Sequence, residues 1–438
     1  MYVKKLLGFT ALIKGFSKIV SQHKDNRSIS HSIHSIHDTM LSGLACMYIQ
    51  CPSLLNFQKT MEEQRQRNNL HTQFNIKTTP KDSQMRTILD DIPREIFAPI
   101  FKEYLTRLQR NKWLSSFKFD DDHYLLLLDG TEYHSSDSIH CQHCLTQTKK
   151  SGLVRYSHKV VQAVIAHPKH KQIIPMIPEE VKNTDGSGKQ DCEINAAKRL
   201  MPSIKKMHPR LKFIRTGDSL YATTPFIKET LAQGDRFLFA VKPGDHKFLF
   251  NQLKDDTFER CDEINKQGKK FIYEWRQNIK LTASDDSLHV NALRLRIVTP
   301  KGDGTNTVTY VGTWITDLSV DQSNITKLIQ GARCRWRIEN ACFNTLKNYG
   351  YSIEHNYGHG ENNLCFNFYL FTLLAFYIHQ ILSLCDKLFQ AVRERCGALK
   401  ETWLKIRILF NMHLYDSWED MLEHIINPDN YSLQRAGP

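Results

Sequence analysis

Three acidic residues far apart in the chain sit where their side chains could act together. Asp129 follows a short apolar run, Tyr124-Leu125-Leu126-Leu127-Leu128, that has the character of a buried central strand, and it is followed by Gly130-Thr131. Asp218 follows a second run, Leu211 to Arg215, through Thr216-Gly217. Glu339 lies among cations, in Arg333-Cys334-Arg335-Trp336-Arg337-Ile338-Glu339-Asn340, with Arg335 four residues before it on the same helical face. Alone, each aspartate reads as a turn or cap residue and the glutamate as half of a surface salt bridge. Together, two strand-end aspartates and a helical glutamate form a set of hard oxygen ligands suited to Mg²⁺ or Mn²⁺. Two such ions about 3.5–4 Å apart activate a water or a 3′-hydroxyl and stabilise the leaving oxygen in phosphoryl transfer. In that scheme Asp129 bridges both ions while Asp218 and Glu339 each hold one.

The elements that must position these groups follow a mixed pattern. Strands are expected at Tyr124–Leu128, Lys159–Ala166, Gln172–Ile177, Leu211–Arg215 and Arg236–Val241. Helices are expected at Asp191–Met207 and after Thr224-Pro225, where Thr224 caps and proline takes the first helical position. This order puts both aspartates at C-terminal strand ends, the edge where open α/β sheets place their chemistry. Glu339 is expected in the middle of a continuous helix from Ile325 to Tyr349, stopped by Gly350, with Leu328, Ala332, Phe343 and Leu346 as its apolar seam. Between about 245 and 320 the pattern alternates (Lys270–Trp275, Leu288–Val298, Thr307–Trp314), with Lys301-Gly302-Asp303-Gly304 as a turn, which predicts a β-rich insertion. Lys242-Pro243-Gly244-Asp245-His246 reads as a plain turn near the active edge, and Glu132 and Asp137 as solvated loop carboxylates.

The ends are helical: residues 1–115 as a region suited to DNA-end binding, 120–385 as the catalytic domain, and 386–438 as a C-terminal region. Asp38 is expected to cap an early helix, and the Ser-Ile-His repeat holding His31, His34 and His37 reads as a polar linker rather than a metal trap. Leu364 to Cys385 is apolar and long enough for a membrane span. Asn367, His379, Gln380 and Ser383 interrupt it, which favours a buried core helix and no membrane partner. With 59 Lys+Arg against 46 Asp+Glu the formal charge is +13, as suits a polyanionic partner. The 11 cysteines are odd in number and scattered, and no signal peptide is visible, so reduced intracellular thiols are expected rather than a disulfide framework. Four further residues, Cys141 and Cys144 of a C-x₂-C pair with His158 and Cys192, allow a structural zinc site, the alternative being free buried thiols.

At this point the sequence resembles a known family. Leu128-Asp129-Gly130-Thr131, Gly217-Asp218-Ser219-Leu220-Tyr221 and Arg335-Trp336-Arg337-Ile338-Glu339-Asn340 resemble the motifs of DDE transposases of bacterial insertion sequences, the kind with an RNase H-like catalytic domain and a β-rich insertion. Phe343 to Tyr351 and the segment Glu354-His355-Asn356-Tyr357-Gly358-His359-Gly360 add to the likeness. The resemblance implies Mg²⁺-dependent cleavage and strand transfer at terminal inverted repeats, a homodimer on transposon-end and target DNA, and a bacterial, nucleoid-associated cytoplasmic location. It makes Arg335 a DNA contact. Arg333, Arg337 and Lys347 are candidate phosphate contacts by charge. The family's tyrosine position is Ala332 here, and its lysine position is Leu346, with Lys347 one step later. Two alternatives stand beside this: an RNase H-like nuclease without strand transfer, and a degenerate or domesticated DNA-binding protein.

Overall fold

The computed structural model describes residues 6–25, 34–63, 68–182, 190–254, 257–300 and 305–431. His31, the Lys301–Gly304 turn, residues 183–189 of the polar loop and the tail after 431 lie outside the described residues.

Six helices come first: α1 (Phe9–Val20), α2 (Ile36–Tyr48), α3 (Leu54–Glu63), α4 (Asn69–Phe74), α5 (Asp82–Asp90) and α6 (Phe97–Arg110). Ser35, not Asp38, caps α2, its Oγ accepting from the Asp38 amide at 3.0 Å. Asp38 lies in the first turn, and its Oδ2 instead accepts from the Thr78 amide and hydroxyl. His34 and His37 are not brought together on one ligand: His34 bonds the Thr78 hydroxyl and His37 the Ser17 hydroxyl.

The sheet region runs β1 (Lys118–Asp120), β2 (His123–Ser136), β3 (Leu145–Thr148), β4 (Val154–Ala166), β5 (Ile174–Pro175), β6 (Glu179–Val181), α7 (Glu193–Met207), β7 (Lys212–Gly217), α8 (Thr224–Ala232), β8 (Arg236–Ala240), α9 (Lys247–Gln252), β9 (Glu259–Ile264), β10 (Lys270–Thr282), β11 (Asp285–Pro300) and β12 (Asn306–Thr316). All strands join one sheet in the order β3-β4-β2-β7-β8-β12-β11-β10-β9, with β1 on β2 and with β5 and β6 on β4. β2, β7 and β8 are mutually parallel, and β4 turns back antiparallel to β2. Three parallel strands with an antiparallel neighbour beside the first give the RNase H-like arrangement of an α/β fold. The β-rich insertion enters this sheet edge-on, because β12 pairs with β8 through Trp314↔Ala240.

Two strand expectations change. β2 does not stop at Leu128 but continues to Ser136, since β4 keeps pairing with it as far as Ser136↔Tyr156, past a bulge between Glu132 and His134. On its other edge the ladder with β7 ends at Leu127↔Thr216. Asp129 therefore lies within a strand, at the point where one neighbour has left and the other has not. The expected Gln172–Ile177 strand shrinks to Ile174–Pro175.

The expected single helix around Glu339 is broken. α10 (Ile325–Arg333) ends at a turn through Cys334 and Arg335, a π-helical segment spans Ile338–Phe343, and α11 (Asn344–Asn348) follows. The apolar seam is nonetheless buried at Leu328, Ala332, Phe343 and Leu346, and Gly350 ends the run with φ +97°. Among the described residues four α-helices follow, α12 (Leu364–Cys385), α13 (Lys387–Cys396), α14 (Leu399–Met412) and α15 (Trp418–Ile426), and then a short 3-10 helix at Pro428–Tyr431.

α12 is apolar and long enough to cross a bilayer, yet most of it is enclosed by protein. Three of the polar side chains that interrupt it have a protein partner. Asn367 donates to the Leu89 and Ile92 carbonyls, His379 bonds the Tyr351 hydroxyl and stacks on Trp403, and Gln380 accepts from the Ile173 amide. Its N-terminus is held by Asp90, whose carboxylate accepts from the amides of Glu361, Asn362, Asn363 and Leu364. All eleven cysteines are free thiols.

Candidate active site

The parallel ladder of β2 and β7 sets the first two acids. That ladder ends at Leu127↔Thr216, two residues before Asp129 on β2 and two before Asp218 beyond β7. β7 is anchored from below by a buried ion pair, Arg215 with Asp235, in which Arg215 also reaches Thr230 and Gln233. Beyond β7 the Asp218 carboxylate accepts from the Leu220 amide at 2.9 Å, and the Ser219 hydroxyl donates to Asp245 at 2.6 Å. The Lys242–His246 turn is thus in contact with the strand end, more than its sequence suggests.

Glu339 comes from the other side, on the π-helical segment. Arg335, in the turn before it, donates to Glu339 Oε1 at 2.6 Å and lies 3.4 Å from Asp129 Oδ2. One guanidinium therefore bridges the strand acid and the helix acid. Burial, with help from Glu193 and Glu339, pushes the Asp129 carboxyl up to about 7, although Arg335 and the Gly130 amide pull it the other way. Asp129, Asp218 and Glu339 are not packed as tightly as a coordination shell. Among the described residues, the one set of three or more potential ligand atoms lying within 4.8 Å of one another is Cys141, Cys144, His158 and His359.

Sequence reasoning missed a fourth carboxylate. Glu193, in the first turn of α7, accepts from the Tyr221 hydroxyl at 2.6 Å and lies close to Asp129 and Asp218. Burial raises its pKa; Tyr221 opposes the rise and Asp218 adds to it. Two glycines clear the space for this pair. A Cβ on Gly130 would stand 2.3 Å from Glu193 Oε2, and one on Gly217 would stand 2.5 Å from the Tyr221 ring. Gly130 and Gly217, each adjacent to an expected catalytic aspartate, were the available signal, as was Tyr221 three residues after Asp218.

The cationic residues divide. Arg333 is exposed, lies 5.3 Å over the Tyr310 ring, and lines a cleft of about 720 Å³ with Lys169, Gln330 and the exposed Trp336. Arg337 is tied down: it donates to the Pro168 carbonyl at 3.0 Å and also to that of His170, fixing the loop after β4. Lys347 pairs with Glu354 at 2.6 Å. Ala332 and Leu346 lie inside the buried seam, where neither a tyrosine nor a lysine would reach a solvent groove. Glu132 and Asp137 form local ion pairs with Arg155 and Lys149.

The expected zinc set needs one correction. Cys141, Cys144 and His158 converge, but Cys192 is exposed at the N-cap of α7, where the helix start carries Glu193 towards Asp129 instead. The fourth member is His359, from the segment between the Glu339 helix and α12. Its signal was the flanking Gly358 and Gly360, both at positive φ.

No family model matches this chain, and no curated protein matches it. Among solved structures, that of the piggyBac transposase synaptic complex with hairpin DNA is similar, at a TM-score of 0.39 and 10% sequence identity over 98% of this chain and 84% of that one.

Proposed function

We propose that this chain is a DDE DNA transposase, of the insertion-sequence kind that its motifs resemble, and that Asp129, Asp218 and Glu339 are its catalytic carboxylates. The observation that carries this is the junction at Arg335. Acids from β2 and from the distant π-helical segment meet across one guanidinium, with Asp218 just beyond β7, the parallel neighbour of β2. The donor set is all carboxylate oxygen, so the residues present fit hard divalent cations such as Mg²⁺ or Mn²⁺. Bound there, such ions would supply activation of the attacking oxygen and stabilisation of the leaving one.

The chain's own residues do the rest. Asp129 is held in the β2–β4 ladder opposite Gln162, and Asp218, just beyond β7, is held by its bond from the Leu220 amide. Arg335 orients the Glu339 carboxylate and is the cation available to a scissile phosphate beside Asp129. Tyr221 holds Glu193 in place beside Asp129, whose carboxyl is raised chiefly by burial, with the Glu193 charge adding to it. Arg333, Lys169 and Trp336 line the adjoining cleft, where a nucleic-acid backbone meets two cations and an exposed aromatic face.

The test searches the DNA flanking the gene for inverted repeats and incubates duplexes carrying each candidate with the full chain and Mg²⁺ or Mn²⁺. Wild type should nick at the repeat end and join that end to a target, whereas Asp129→Asn, Asp218→Asn and Glu339→Gln should each bind the duplex and leave it intact. Cleavage without repeat preference or joining would leave the nuclease reading instead. A second reading, a DNA-binding protein without turnover, is favoured by the same guanidinium, which stands between two acids that must share a cation. It predicts binding that weakens steeply with salt and no product with either metal.

A further inference from the structure

Apart from the acidic site, two thiols and two imidazoles meet on the far part of the β2–β4 hairpin. Cys141 and Cys144 lie in the connection between β2 and β3, where the Cys144 amide donates to the Cys141 carbonyl at 3.3 Å and closes a tight turn. His158 comes from β4, opposite His134 in the ladder. His359 comes from more than two hundred positions away in sequence, just before α12.

The spacing of the ligand atoms is diagnostic. Cys141 Sγ lies 3.6 Å and Cys144 Sγ 3.3 Å from His158 Nε2, Cys144 Sγ lies 3.5 Å from His359 Nε2, and the two Nε2 atoms are 3.2 Å apart. With zinc–sulfur bonds of about 2.3 Å and zinc–nitrogen bonds of about 2.05 Å, a regular tetrahedron has S–N edges of about 3.5 Å and an N–N edge of about 3.3 Å. The observed separations match those edges. Two thiol hydrogens can serve at most two of these four close pairs, so hydrogen bonding alone gives little reason for all four to crowd together. His359 is also oriented as a ligand should be: its Nδ1 bonds the Gly360 carbonyl at 2.8 Å, which leaves the Nε2 lone pair pointing inward. Its backbone is fixed by Gly358 at φ +150° and Gly360 at φ +69°, and its carbonyl accepts from the Cys365 amide on α12. His158 and His359 are both buried.

We propose that Cys141, Cys144, His158 and His359 form a structural zinc site that staples the hairpin carrying Asp129 to the segment linking the Glu339 helix with the core helix α12. Four protein ligands close the tetrahedron and leave no position for a water or substrate, so the site is structural and separate from the carboxylates. On binding, the two thiols give up their protons and the imidazoles stay neutral. The assignment does not depend on the DNA reading, because its readout is metal content.

The full chain, purified under reducing conditions without chelator, should contain about one zinc per chain by elemental analysis. Blocking thiols with an organomercurial should release that zinc to a chromogenic chelator. Cys144→Ser and His359→Ala should lose it, Cys192→Ser should keep it, and His359→Cys, which restores a zinc ligand, should recover it. The Co²⁺-substituted protein should show the intense visible bands of a tetrahedral dithiolate site. Zinc near zero in the wild type, full retention in His359→Ala, or an octahedral Co²⁺ spectrum would each overturn the assignment. If His359→Ala fails to fold, the thiol-triggered release from wild type and the content of His359→Cys still decide it. A disulfide joining Cys141 to Cys144 in freshly reduced protein, seen by mass, counts against it as well.

Discussion

At the scale of single residues, burial chiefly, with the neighbouring Glu193 and Glu339 charges adding to it, sets how Asp129 responds to pH. Asp129 in the folded chain holds its proton up to about 7, against an ordinary carboxyl value of 3.8. A raised carboxyl pKa stabilises the fold at low pH, and that contribution is lost as pH rises through the interval between the two values. Asp129→Asn removes the charge, so the variant should melt at a higher temperature than wild type, with the gap wider at pH 8 than at pH 5; thermal melts at the two pH values check it. An equal gap at both would mean the burial of this charge is not felt. Mn²⁺ should raise the wild-type melting temperature and leave that of Asp129→Asn unmoved. Glu193 raises Asp129, so Glu193→Gln should shift the acidic limb of the pH–rate profile to lower pH, whereas a residue that merely supports the fold would lower the rate without moving the limb.

Much of this residue-level picture is legible in the chain itself, and the remainder is hidden for definite reasons. Asp129 and Asp218 announce themselves because an apolar run ending in Asp-Gly or Gly-Asp is a local pattern. Glu193 does not, since its partner Tyr221 lies on a different element and only the sheet brings them within 2.6 Å. His359 is hidden for the same reason: the C-x₂-C pair marks half of a ligand set, and no spacing rule reaches a histidine beyond the whole insertion.

At the scale of elements, the break around Arg335 matters most. A continuous helix would carry Arg335 and Glu339 on one face at fixed pitch. The turn at Cys334–Arg335 and the π-helical segment at Ile338–Phe343 instead let Arg335 reach both Glu339 and Asp129. Periodicity is blind to this, because the apolar seam stays in phase on both sides of the break. Strand ends are similarly exacting. Gly217→Ala would push a methyl group into the Tyr221 ring, and overpacking of this kind costs about 1–3 kcal/mol. Its denaturation midpoint should fall accordingly, and cleavage should fall further than in the isosteric control Tyr221→Phe, which keeps the ring and loses only the hydroxyl. β2 outran its expected end because pairing with β4, a tertiary fact, overrode the polar composition of Thr131 to Ser136.

At the scale of the molecule, α12 is the common floor. Helices from before residue 115 and after residue 386 close over it and over each other: Phe9 stacks on Trp418 at 4.4 Å, Asn69 donates to the Phe410 and His413 carbonyls, and Gln73 donates to that of Tyr415. Trp418 is wholly enclosed, so Trp418→Ala should cost about 3–5 kcal/mol. If the ends and the sheet share one core, denaturant should unfold the variant in a single transition at lower midpoint by both tryptophan fluorescence and far-UV dichroism. Two separated transitions would show that the ends melt independently. The formal charge of +13 predicts affinity for any long nucleic acid that decays with ionic strength before sequence preference is seen.

The clasp between Phe9 and Trp418 also bears on how the chain is made. On the ribosome, the first helices emerge long before the aromatic lid that shelters them has been translated. Nascent α1 therefore has no Trp418 ring to cover Phe9 until synthesis has passed residue 418. A polypeptide truncated by a premature stop shortly before that point would carry Asp129, Asp218 and Glu339 and leave Phe9 without the ring that stacks on it.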